Sequence, residues 1–101
     1  MAKTSSVLRQ KKREKLVRKF AARRAELKRL SRDVKATPEE RQDAREKLSA
    51  LPRNSSAVRL HNRCMVTGRS RAVYKKLMLS RIAFRELALK GHLPGIHKAS
   101  W

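Results

Sequence analysis

Residues 37–52 read TPEERQDAREKLSALP, and this stretch sets the architecture. Thr37 offers an N-cap hydroxyl, Pro38 suits the first helical position, and Glu40 stands three residues after the cap. Ala44, Leu48 and Leu51 then recur on one helical face. Pro52 disfavours helical geometry at Leu51 and ends the helix there. Upstream, no Gly or Pro occurs before Pro38, and good helix formers dominate. Leu16, Phe20, Leu27, Leu30 and Val34 fall on one narrow face. The pattern predicts a long first helix turning back on a second, with Leu27, Leu30 and Val34 meeting Ala44, Leu48 and Leu51.

Beyond Pro52 the helical period is lost. Residues 53–76, RNSSAVRLHNRCMVTGRSRAVYKK, place a basic side chain every few positions among Asn, Ser and Gly. Thr67-Gly68 marks a turn. Ser80 can cap a third helix over roughly 80–90, with Leu79, Ile82, Phe84, Leu87 and Ala88 apolar and Gly91 as the stop. The ending GHLPGIHKASW contains Gly91, Pro94 and Gly95 and cannot be a regular helix. The expected fold is therefore all-α with extended, irregular segments. It comprises a long N-terminal helix within a helical hairpin, an extended basic loop, a short C-terminal helix and a tail. Little independent core is expected.

Charge decides the class of partner. The 101 residues include 28 Lys and Arg against 8 Asp and Glu, a formal net charge of +20. Residues 1–36 carry 14 basic and 3 acidic side chains, residues 37–52 carry 3 and 4, and residues 53–101 carry 11 and 1. Leu, Ile, Val and Phe number 22, just above the roughly 20% below which a highly charged chain is expected to be disordered. So small a globule repels itself strongly at this charge, so a polyanion is expected to neutralise it. No apolar run approaches the ~20 residues that span a bilayer, and the start lacks the apolar stretch of a signal peptide. Its basic, Ser-containing character suits a transit peptide, yet basic composition continues to the C-terminus. A membrane-surface role for the first helix ranks lower, because its apolar side is sparse and lacks Trp. The single cysteine, Cys64, fits a reducing compartment.

Catalytic and metal chemistry find little support. His61, Cys64, His92 and His97 superficially offer four zinc ligands, but structural zinc sites usually use at least two cysteines. Arg63 beside Cys64 favours a thiolate, yet no base and orienting group accompany it. The glycines, at 68, 91 and 95, form no phosphate-binding loop. No catalytic, cofactor or metal site is expected. Nor is there a helix-turn-helix, zipper or paired-cysteine finger of the kind that reads duplex DNA. Cations spread over helices and irregular stretches suit phosphate contacts on folded RNA. Arg outnumbers Lys in the second basic arm, and its planar fork suits phosphate and stacking contacts. Tyr74 is open to two readings, stacking platform or local core; the terminal Trp101 is expected to touch a partner.

The blocks PRNSSAVRLHNRC, TGR at 67–69, LSR at 79–81 with Arg85, and GHLPGIHKASW resemble the small-subunit ribosomal protein fourteen family, in its long bacterial and chloroplast form. The resemblance is most specific over 52–101. The short form of that family holds a structural zinc on two CxxC pairs. Those four positions here are Cys64, Thr67, Ser80 and Ala83, so the chain resembles the zinc-independent variant. The family implies a structural, non-enzymatic constituent of the 30S subunit head. It would bind the 3′ major domain of 16S ribosomal RNA, assist subunit assembly and shape RNA near the aminoacyl-tRNA site. Small-subunit proteins three and ten are the implied neighbours, and the place is the cytoplasm, or the stroma for a plastid chain. No membrane contact and no homo-oligomer are implied.

By motif match, Arg53, Asn54, Ser55, Arg59 and Arg63 lie along RNA, followed by Arg69, Arg71 and Lys75, then Arg81 and Arg85 from the third helix, and Lys98 and Trp101 in the tail. Residues 1–52 form a basic helical-hairpin extension, and 53–101 the RNA-binding region. Two departures stand out: Met78 replaces a usual Gly, and Ser70 a common Pro. The rival reading is a nonspecific DNA-compacting protein.

Overall fold

The computed structural model describes residues 1–101. Helix α1 spans Thr4–Arg32, helix α2 Pro38–Ala50, and two single 3₁₀ turns follow at Arg53–Ser55 and Ala57–Arg59. Strands β1 (Val73–Tyr74) and β2 (Leu79–Ser80) precede helix α3 (Arg81–Leu89). The chain forms two compact units, one of residues 8–60 and the other of residues 1–7 with 61–101.

In the unit of residues 8–60, α2 begins as its sequence dictates. Glu40 N–H donates to the Thr37 hydroxyl oxygen at 3.3 Å, and Thr37 N–H donates to Glu40 Oε2 at 3.2 Å. Both halves of the capping box are thus made, with Pro38 in the first turn. Glu39 and Glu40 lie at the positive end of the helix dipole and Lys47 at the negative end. Leu51 is extended, ψ 150°, as a residue before proline should be. Leu27, Ala44 and Leu51 are buried together, with Phe20, Leu30 and Leu48 packed against them.

Val34 does not join this cluster. It is 90% exposed, because α1 stops at Arg32 and Asp33 starts a tight turn. Asp33 N–H donates to the Leu30 carbonyl, and Asp33 Oδ1 accepts from Lys35 N–H at 2.9 Å.

The other unit holds a second small core of Cys64, Leu79 and Ala83, with Val73, Phe84, Leu87 and Leu93 packed on it. A two-residue antiparallel ladder, Val73 opposite Ser80 and Tyr74 opposite Leu79, is an addition to the expected all-helical fold. Strands this short carry no readable alternation. Closing the ladder places Ala72 and Met78 at φ 53° and 52°. Met78 thus occupies the left-handed region that glycine enters without strain, which accounts for glycine being usual there in the family it resembles.

Ser80 caps α3, accepting from Ala83 N–H at 3.2 Å. At the other end, Gly91 N–H donates to the Ala88 carbonyl and His92 N–H to that of Leu87. With Gly91 at φ 75° this is a Schellman ending. Ile82 is 48% exposed, and the smaller Ala83 takes the buried position.

Removing the cap should loosen α2. Thr37→Ala is expected to cost about 1 kcal/mol, read as faster amide exchange across residues 39–42 with α3 unaffected. Unchanged exchange would show that the cap contributes nothing.

Candidate nucleic-acid interface

Arginines inside this protein bond to neutral oxygens. In the unit of residues 8–60, Arg24 Nε donates to the Ser55 hydroxyl oxygen at 2.9 Å and Nη2 to the Pro52 carbonyl at 3.2 Å. The Ser55 hydroxyl in turn donates to the Pro52 carbonyl. Arg13 Nε and Arg59 Nη1 converge on Asn54 Oδ1, each at 3.4 Å. These bonds carry the 3₁₀ turn of residues 53–55 on α1. Ser55 is 1% exposed, and its hydroxyl braces the turn from within by accepting from Arg24 and donating to the Pro52 carbonyl. Arg53 stands exposed on that turn, and Asn54 and Arg59 are half-buried beside it.

The turn lies in the unit of residues 8–60, where Arg13 and Arg24 hold it. Both arginines belong to the strongly basic residues 1–36 and lie on α1. Their inward bonds left no trace in helical periodicity, since their acceptors lie 28 to 41 residues away. Lys11, Lys12, Lys15, Arg18, Lys19, Arg23, Lys28 and Arg29 remain exposed.

In the other unit, Arg63 Nη1 donates to the Gly68 carbonyl at 2.8 Å and Arg69 Nε to the Arg71 carbonyl at 3.1 Å. Both side chains are half-buried. The turn between them is tight: Gly68 lies at φ 76°, and a Cβ there would meet Ala2 Cβ at 3.1 Å. Arg71, Lys75, Arg81, Arg85 and Lys98 are exposed. Trp101 is fully exposed. Tyr74 reconciles its two readings. Its ring packs on Phe84 with centroids 4.8 Å apart and a 51° tilt, while 51% of the residue stays exposed.

Cys64, Thr67, Ser80 and Ala83 come together. Thr67 N–H points at Cys64 Sγ (3.5 Å), Ser80 caps Ala83, and Cys64 and Ala83 share the buried cluster. Thr, Ser and Ala do not fit a structural zinc, and no three His, Cys, Asp or Glu side chains gather closely enough to hold a metal ion. A hydroxyl cap and apolar contact tie the segments together instead. Burial alone would raise the Cys64 thiol, but hydrogen bonds from the Thr67 side chain and from the backbone of Thr67, Ser80 and Val66 outweigh it and lower it to about 6.

Residues 47–100 match the family model for ribosomal protein S14p/S29e. Over its full 101 residues the chain is 58% identical to small ribosomal subunit protein uS14 of Ruegeria sp. (strain TM1040) and 54% identical to that of Bartonella bacilliformis, each covered completely.

Two outcomes follow from these bonds. Arg24→Met removes two charge-assisted bonds, so Ser55 N–H should exchange roughly tenfold faster or more; an unchanged rate would mean that α1 does not hold the turn. For Cys64, a folded value near 6 against an ordinary 9.0 makes thiolate binding stabilising at alkaline pH, a gain lost as pH falls towards 6. The stability difference between the native chain and Cys64→Ala should therefore widen from pH 6 to 9. A pH-independent difference would contradict the thiolate.

Proposed function

The chain belongs to the ribosomal protein S14p/S29e family, and on that footing we propose that it is a structural constituent of the small ribosomal subunit that binds ribosomal RNA and has no catalytic role. The observation that carries this reading is the state of five arginines. Arg13, Arg24, Arg59, Arg63 and Arg69 donate to carbonyl, hydroxyl and amide oxygens, so they are oriented without a carboxylate to offset their charge. Oriented, uncompensated cations suit a phosphate backbone.

The finer reading takes its support from the resemblance over residues 52–101. The RNA would be the 3′ major domain of 16S ribosomal RNA in the subunit head, and the neighbours small-subunit proteins three and ten. The chain would assist assembly and shape RNA near the aminoacyl-tRNA site. Arg53, Asn54, Arg59, Arg63, Arg69, Arg71, Lys75, Arg81, Arg85, Lys98 and Trp101 would lie along it, with Ser55 holding its turn in place. Residues 1–52 would act as a basic helical extension and residues 53–101 as the RNA-binding region. The cytoplasmic ribosome of a bacterium is the corresponding location.

Competition at moderate salt between a 16S head fragment and duplex DNA tests the reading. The head fragment should displace the duplex; equal competition would favour a DNA-compacting protein. Arg85→Ala, at an exposed position on α3, should lower the slope of log K against log salt by about one unit. An unchanged slope would remove Arg85 from the interface.

A further inference from the structure

Alongside α3, the C-terminal tail encloses an open cleft of about 940 Å³ lined by Tyr74, Ile82, Leu89 and Ile96. It falls within the size range of small-ligand sites, roughly 300–1,000 Å³. Its walls are largely apolar. Ile82 is 48%, Leu89 65% and Ile96 40% exposed, an apolar surface that the folded chain leaves uncovered. Tyr74 adds an aromatic ring packed against Phe84, which also lines the cleft and packs on the Cys64, Leu79 and Ala83 cluster. Around this apolar floor stand Arg81, Arg85 and Lys98, with Glu86 the one acidic lining residue.

We propose that this cleft receives one unpaired, everted nucleotide of the bound RNA, its base against Tyr74, Ile82 and Leu89 and its flanking phosphates on Arg81, Arg85 and Lys98. The proposal rests on the RNA-binding reading and deepens it from phosphate contact to base contact. Charge complementarity selects the occupant. An apolar patch rimmed by cations on a chain of net charge +20 disfavours a second copy of itself. An unpaired nucleotide supplies a flat apolar face and an anion in one residue, and single-stranded bases are recognised by stacking of this kind.

The test uses the full chain and two single-stranded oligoribonucleotides of equal length and charge. One is abasic throughout; the other carries a single 2-aminopurine at its centre. The base should tighten binding by about fivefold or more and its fluorescence should be quenched on binding. Leu89→Ser with Ile82→Ser, both at exposed positions, should abolish that gain while leaving the salt slope unchanged. Ile96→Ser, in the tail and outside every helix, should reduce the gain with no helix at risk.

Equal affinity for the two oligonucleotides would overturn the base site while leaving phosphate binding intact, and would point to another occupant such as an apolar protein segment. A gain that survives in all of these variants would place the base elsewhere and equally overturn it. Binding of neither oligonucleotide in a salt-dependent way would remove the RNA reading itself, and the cleft proposal with it.

Discussion

The arginines set the terms for everything else in this molecule. A guanidinium can be oriented by donating to a neutral oxygen without losing its charge. Arg24 on Ser55 and Pro52, Arg13 and Arg59 on Asn54, and Arg63 on the Gly68 carbonyl do this. Had carboxylates filled these places, the chain would be stiffer and less charged. With only 8 acidic residues, positive charge accumulates instead, and a polyanion is the partner able to offset it.

Each small core serves this arrangement. Leu27, Ala44 and Leu51 pack α1 on α2, and from α1 Arg13 and Arg24 reach the turn that carries Arg53. Cys64, Leu79 and Ala83 hold the ladder and α3, from which Arg81 and Arg85 extend. This junction is closed by a Ser80 cap on Ala83 and by backbone N–H groups around a low-lying Cys64 thiol.

Local chemistry was legible from sequence because it is local. The Thr37–Glu40 capping box, the stop at Pro52, the Ser80 cap and the Gly91 ending each depend on residues within a few positions. Val34 was misplaced because the apolar period continues past Arg32, whereas the Asp33 turn ends the helix first. The ladder escaped notice because two-residue strands leave no pattern, whereas Met78 was marked by the resemblance as standing in place of glycine. Family resemblance marked residues 53–59 as a binding segment. Only coordinates show Ser55 buried and Arg24 turned inward, because both depend on contacts across tens of residues.

The most direct measurement is the melting temperature of the RNA-free chain in sodium chloride, from low to high ionic strength. If internal repulsion among uncompensated cations limits the fold, screening should raise the melting temperature steadily. A melting temperature that stays flat, or falls as salt is added, would mean that the charges are already balanced within the protein, contrary to the account given for its arginines.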